Sequence, residues 1–389
     1  MSLTAGNQEQ PPLSLYAHLP WCVRKCPYCD FNSYTAGDDA PRDQYVKALL
    51  ADINVEADRA SGRQLVSVFL GGGTPSFFTP AQIAEVLERI AERFTLAPDI
   101  EITMEANPGT VECGDPAGYR EAGVNRLSIG AQSFSTASLA LLGRIHSVED
   151  IERSVTEVRA AGFDNINIDL MYGLPGQAVT AAMFDIERGA ELGANHLSWY
   201  QLTLEPNTVF HSRPPAGLPD DEALFEMQNL GQARLAELGY EQYEVSAYAR
   251  NGRRSVHNLN YWSFGDYLAV GAGAHGKIST ADGIWRYVKP ANPRTYIETF
   301  AGGVEATDLK RVSEAELLFE FMLNILRLTG GFDEQLFVAR TGLDAEQLRT
   351  RVAAAVGKGL IDQIGATFWQ VTPLGKRFLN DLQAEFLPE

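Results

Sequence analysis

Three cysteines within eight residues hold the densest chemistry in this chain. The segment Trp21-Cys-Val-Arg-Lys-Cys-Pro-Tyr-Cys-Asp30 spaces Cys22, Cys26 and Cys29 as C-x3-C-x2-C, directly after an apolar run that reads as a first strand. Cubane iron–sulfur clusters are held by thiolates. Three thiolates leave one of the four irons open, and an open coordination position is what separates a reactive metal site from a closed structural one. A short loop can wrap one cluster only if its cysteines are this close. The other readings are a zinc site and unrelated buried thiols. Zinc would want a fourth Cys or His at matching spacing; His18 is near, but it falls inside the strand. The spacing therefore predicts a [4Fe–4S] cluster on Cys22, Cys26 and Cys29.

Further polar groups follow later apolar runs. Gly71-Gly72-Gly73-Thr74-Pro75 comes after the second run. Glycines let a backbone approach a ligand closely, although a Gly triplet by itself is more often a turn. Glu105 ends the third run in Met-Glu-Ala-Asn-Pro, and Gln132 follows the fourth in Ile-Gly-Ala-Gln-Ser-Phe. Arg144 lies in Leu-Gly-Arg-Ile-His, and Asp169 ends the fifth run in Ile-Asp-Leu-Met-Tyr-Gly. Each alone reads as a solvated or hydrogen-bonded residue. Recurring at successive strand ends, they can line one pocket. Carboxylates there bind hydroxyls or an ammonium, and an Arg pairs with a carboxylate.

The elements that must position these groups alternate along the first half. Strands are expected at Leu13–Leu19, Leu65–Leu70, Ile100–Glu105, Arg126–Gly130, Asn165–Leu170 and His196–Leu202. Helical period fills the gaps at Pro41–Ala60, Pro80–Phe94, Ser135–Leu142, Val148–Ala161 and Thr180–Leu192. Ala81, Ala84, Leu87 and Ala91 would form the apolar stripe of the second of these. Six β/α units in series imply an α/β fold with a parallel sheet, curled into a partial (β/α)6 TIM-like barrel; a flat doubly wound sheet is the alternative. Ligands collect at the C-terminal ends of such strands.

Beyond about residue 203 the rhythm stops. Asp221–Leu238 reads as a helix, Tyr240–Tyr248 as extended chain, and Asn251–His275 as an irregular stretch rich in Gly, Asn and aromatics. A helix at Ser313–Leu328 and another at Asp344–Lys358 precede a hairpin of Leu360–Ile364 and Thr367–Val371 around Gly365. Thr372–Phe386 closes as a last helix, giving a winged-helix-like α+β region that packs on or covers the substrate site. The expected division is a tail at 1–12, a barrel core at 13–203, a barrel extension at 204–310 and the C-terminal unit at 311–389.

A net charge of −18 argues against a broad nucleic-acid surface. The fourth cysteine, Cys113, has no evident partner, so the four cysteines do not read as a disulfide framework. Met1 to Pro12 lacks an apolar segment of the signal-peptide kind, and no apolar run is long enough to span a bilayer. A reducing cytoplasm is the expected setting.

With Tyr28 as its aromatic, C-x3-C-x-aromatic-C after the first strand of a β/α series resembles the signature of radical S-adenosylmethionine enzymes. The resemblance implies that S-adenosylmethionine chelates the open iron through its amino and carboxylate groups. Reductive cleavage would then give a 5′-deoxyadenosyl radical, chemistry that belongs to the cofactor while the protein orients and shields it. From about Leu13 to the C-terminus the chain is similar to the anaerobic coproporphyrinogen III dehydrogenase (HemN) family. Tyr16, Tyr28, Gly72, Gly73, Thr74, Glu105, Gln132, Arg144 and Asp169 fall at that family's S-adenosylmethionine-contacting positions.

Two departures point within that family to its heme-chaperone branch. Phe31 stands where the dehydrogenases have a further cysteine, and fewer residues precede the first strand. His257-Asn-Leu-Asn-Tyr-Trp262 also matches the chaperones' H-N-x-x-Y-W motif. A His can serve as an axial heme ligand, and Tyr and Trp offer flat apolar surfaces to a porphyrin. His257 is thus the candidate heme ligand, against a hydrogen-bonded structural His; His275, in Gly-Ala-Gly-Ala-His-Gly, is a second candidate, against the reading that its glycines mark a tight backbone turn near the barrel mouth. The resemblance implies a heme-binding protein that delivers heme to respiratory hemoproteins, with peripheral membrane association through those partners. An oxygen-independent coproporphyrinogen III oxidase is the alternative, and a tRNA-modifying radical enzyme a third reading that the acidic balance disfavours.

Overall fold

The computed structural model describes residues 10–37, 40–109, 114–302 and 309–388; Cys113 lies outside them. Six strands form at the expected places. They are β1 (Leu13–Leu19), β2 (Gln64–Gly72), β3 (Thr95–Ala106), β4 (Arg126–Gln132), β5 (Ile166–Tyr172) and β6 (His196–Gln201). They lie side by side in chain order, all parallel. Parallel strands with helices on their faces are buried throughout, and β4 is buried at every residue. Hence these segments read as near-continuous apolar runs.

The intervening helices start on local signals. Thr79 and Gln82 close a capping box around Pro80, the first residue of helix Pro80–Arg93. Ser147 and Asp150 do the same for Val148–Ala160. The buried stripe of Pro80–Arg93 is Ile83, Val86, Leu87 and Ile90. Of the four residues expected there only Leu87 is buried, because the larger branched side chains take the core-facing positions and leave Ala81 and Ala91 exposed.

The sheet extends past both edges of the six strands. β7 (Glu241–Glu244) and β8 (Ala247–Ala249) add antiparallel strands beside β6. On the other edge, β9 (Asp266–Val270) pairs parallel with β1, making a seventh parallel strand. Antiparallel β10 (His275–Thr280), β11 (Gly283–Val288) and β12 (Lys310–Arg311) follow. The order of this twelve-stranded sheet is β12-β11-β10-β9-β1-β2-β3-β4-β5-β6-β8-β7. Asn251–His275 is therefore not irregular throughout: it holds helix Val256–Trp262 and β9.

The C-terminal part has its own apolar cluster, with Phe321, Phe337, Leu348 and Trp369 among its members. Helices Glu314–Ile325, Glu334–Thr341 and Ala345–Gly357 pack beside a three-stranded sheet of β13 (Phe332–Asp333), β14 (Ile361–Ile364) and β15 (Phe368–Val371). The expected last helix is two, Pro373–Arg377 and Leu379–Ala384, because Phe378 leaves helical geometry with φ −110° and ψ 46°. No helix among the described residues is long and apolar enough to cross a membrane.

Candidate functional site

The C-terminal ends of β1 to β6 open into a cavity of about 300 Å³. Cys22, Cys26 and Cys29 line it, with Tyr28, Gly72, Gly73, Thr74, Glu105, Gln132, Arg144 and Asp169. Eleven of the predicted residues thus come together. Tyr16 and His257 do not.

Each wall residue is held by its strand or by a neighbour. Gly72 has φ +118°, and a Cβ there would lie 2.5 Å from the His18 ring, so only glycine fits. Its N–H donates to Glu105 Oε2 at 3.0 Å. Burial, and then the adjacent Asp169, push Glu105 up to about 7 against that N–H. Burial also raises Asp169, although its carboxylate accepts from Ser128 Oγ at 3.0 Å and Asn167 Nδ2 at 2.7 Å. Asp169 sits within β5 and Glu105 one residue before the end of β3; neither ends its strand. The pleat still turns both into the cavity.

Arg144 faces the two carboxylates' cavity from the loop after Thr136–Leu141. Its Nη2 donates to Asn107 Oδ1 at 2.6 Å and to the Gly130 carbonyl at 3.0 Å, and its Nη1 approaches Cys26 Sγ at 3.6 Å. Asn107 Nδ2 in turn donates to Thr74 Oγ1 at 3.0 Å. Asn107 was readable as the Asn of Met-Glu-Ala-Asn-Pro, two places past Glu105, but an Asn-Pro pair signals a turn more often than a site. Asp185 was not readable, being an acidic residue on a helix. It accepts from Ser133 Oγ at 2.8 Å and Phe134 N at 2.7 Å, fixing the chain just after Gln132. Gln132 ends β4 with φ +64°, uncommon for a residue with a Cβ, and its Oε1 is buried with no hydrogen-bond partner among the described residues.

These residues fit a site-differentiated cluster with an amino-acid-bearing ligand. Among the described residues no three His, Cys, Asp or Glu side chains are grouped to hold a single metal ion. The three cysteines instead stand around the wall of one cavity, as a polynuclear cluster requires. Two carboxylates and an arginine offer partners of both signs, and the buried Gln132 oxygen calls for a donor.

A second cavity, of about 590 Å³, adjoins the first and shares Asp30, Phe31, Gly72 and Glu105 with it. Tyr16 lies here, its hydroxyl 2.8 Å from His18 Nδ1, beside Phe69, Tyr261, Trp262, Tyr267 and His275. Phe31 is 57% exposed at the junction. His257 is elsewhere. The residue is 4% exposed, and its ring stacks on Phe69 with centroids 4.2 Å apart and places Nδ1 2.8 Å from Glu101 Oε1. Burial works against the Glu101 charge, but His257, Arg126 and the Val256 N–H outweigh it and hold Glu101 at about 2. Burial keeps His257 below its ordinary value, so the pair is a neutral imidazole donating Nδ1–H to a carboxylate.

Residues 16–180 match the Radical SAM superfamily and residues 312–378 the HemN C-terminal domain. Membership of the first implies a [4Fe–4S] cluster and S-adenosylmethionine. Among solved structures, the chain is similar to coproporphyrinogen III oxidase (HemN) from Escherichia coli, a radical SAM enzyme, with a TM-score of 0.81 and 25% identity over 97% of this chain and 90% of that one. Heme chaperone HemW of Escherichia coli (strain K12) is 46% identical over 97% of this chain and 99% of its own length, and that of Bacillus subtilis (strain 168) 35% over the same shares. With the radical SAM cavity and the HemN-like C-terminal unit in place, this near full-length identity shows that the chain belongs to the heme chaperone HemW family.

Proposed function

We propose that this chain binds heme and hands it to respiratory hemoproteins, and that its [4Fe–4S] cluster and S-adenosylmethionine govern the transfer. What supports the reading most is the relatedness to heme chaperones along nearly the whole chain. Phe31, an exposed apolar side chain where the dehydrogenases have cysteine, favours it over porphyrin decarboxylation.

In this reading Cys22, Cys26 and Cys29 hold the cluster. Gly72, Gly73 and Thr74 bring backbone and hydroxyl groups to the methionine end of S-adenosylmethionine, with Tyr28, Gln132 and Arg144 around it. Glu105 and Asp169 take its ammonium and hydroxyl groups. The bound pair supplies a reducible centre with a cleavable sulfonium. The protein's part is to exclude water behind Tyr28, Met171 and Leu202, which line the same cavity. Residues 13–203 carry this site, 204–310 the H-N-x-x-Y-W segment, and 311–389 pack against them, after a tail at 1–12. The chain works in the cytoplasm and meets a membrane through heme-accepting partners.

The test is anaerobic incubation of the cluster-reconstituted chain with coproporphyrinogen III, reductant and S-adenosylmethionine. No protoporphyrinogen IX is expected, and its steady formation would overturn the chaperone reading in favour of the oxidase. Failure of the purified chain to bind heme would overturn it equally.

A further inference from the structure

The second cavity has features that the cluster site does not use. Its walls are aromatic: Tyr16 from β1, Phe69 from β2, Tyr261 and Trp262 from helix Val256–Trp262, and Tyr267 from β9. Flat rings favour a flat, apolar guest. At about 590 Å³ it lies well inside the range of cofactor pockets, roughly 300–1,000 Å³. Two imidazoles line it. Both nitrogens of His18 are engaged, by Tyr16 Oη at 2.8 Å and by the Asn32 carbonyl at 2.9 Å. His275 is exposed at the first position of β10, and among the described residues its ring carries no hydrogen bond.

We propose that this cavity seats an iron porphyrin and that His275, not His257, supplies an axial nitrogen to its iron. The inference rests on the heme-binding reading and gives it a place. Burial and the Arg286 charge keep the His275 imidazole below its ordinary value, which suits a neutral metal ligand.

The H-N-x-x-Y-W segment takes a different part, as the anchored support of the aromatic wall. Glu101 accepts the N–H groups of Val256 at 3.0 Å and His257 at 3.2 Å, as well as His257 Nδ1, and so fixes the helix at its N-terminal end. Asn260 Nδ2 donates to Ser14 Oγ and to the Asp266 carbonyl, each at 2.8 Å, fixing the helix to β1 and β9. Tyr261 and Trp262 are thereby presented to the cavity. For His257 to reach an iron, its ring would have to leave Phe69 and Glu101 and unpack the helix start.

The turn that carries His275 is tied to the cluster loop. Asn32, three places past Cys29, donates Nδ2 to the carbonyls of Ala272 and Ala291, each at 2.9 Å. Gly273, at φ +74°, lies so close that a Cβ there would sit 2.3 Å from Asn32 Nδ2. One side chain therefore joins the cysteine loop to the candidate iron ligand.

The experiment is a titration of the full chain, cluster reconstituted, with ferric heme, followed by absorption and electron paramagnetic resonance. Wild type is expected to show imidazole ligation. His275→Ala should lose that signature and bind at least tenfold more weakly, with added imidazole restoring the spectrum. His275→Met should bind with an altered ligation spectrum, and His257→Ala should keep the imidazole signature. A His275→Ala spectrum and affinity equal to wild type would overturn this inference while leaving heme binding intact. A wild type that takes no heme would overturn the function beneath it.

Discussion

The two cavities share a wall but are assembled differently. The cluster cavity draws on residues that follow one another at the ends of β1 to β6, each announced by a local motif. The aromatic cavity brings Tyr16 and Phe69 together with Tyr261, Tyr267 and His275, about two hundred positions later in the chain. It exists because β9 pairs with β1. A site built on successive loops can be read from spacing; one built on a distant strand pairing cannot.

That contrast can be broken or sharpened in turn. The largest effect belongs to the cysteines. Cys26→Ala should abolish the cluster's visible absorption after reconstitution, yet leave heme affinity within about twofold of wild type, because none of the three cysteines lines the second cavity. Heme binding that disappears with the cluster would merge the two sites into one.

Next comes Glu101→Ala. It removes a buried carboxylate that holds two backbone N–H groups and His257, beside Arg126. Breaking such a buried arrangement costs about 3–5 kcal/mol. Denaturant unfolding should show that loss, while His275→Ala should lie close to wild type in stability. Equal stability losses would make the heme-ligand variants uninterpretable as ligand effects.

Glu105 gives the third. Its folded value of about 7 lies above the ordinary 4.5, so the folded state holds the proton more tightly than the unfolded chain. Stability without bound S-adenosylmethionine should therefore fall as pH rises from 4.5 to 7, by at most about 3 kcal/mol. Glu105→Gln should flatten that slope, and a wild-type slope already flat would remove the buried-carboxylate explanation. The smallest effect is Asn32→Ala, which deletes three side-chain hydrogen bonds, two donated to the Ala272 and Ala291 carbonyls and one accepted from the Tyr34 hydroxyl, and should cost about 1–3 kcal/mol by thermal or denaturant unfolding. No change would mean that the cluster loop and the His275 turn are not mechanically joined.

The β1 to β6 series was legible because buried parallel strands are continuous apolar runs, and the caps at Thr79 and Ser147 mark their helices. The cavity residues were legible as motif positions, Tyr16 excepted, since a strand residue's choice between two adjoining cavities depends on its packing. Asp185 was hidden because its partners, Ser133 and Phe134, lie far away in sequence, and Asn107, visible in Met-Glu-Ala-Asn-Pro, reads there as a turn because its partner Arg144 is equally distant. β9 was hidden inside a Gly- and aromatic-rich stretch whose short apolar run, Tyr267 to Val270, says nothing about which edge it joins. For His257, chemistry alone left ligand and structural anchor both open; the stacked Phe69 and the Glu101 carboxylate were needed to see how it is held.

The most direct measurement is heme transfer. The cluster-reconstituted chain, loaded with one heme, is mixed anaerobically with a heme-depleted respiratory hemoprotein, and the acceptor's activity and absorption are followed with time. Recovery of acceptor activity together with loss of heme from this chain is the expected result. Heme that stays on the chain, with no acceptor recovery beyond that from free heme, would contradict it.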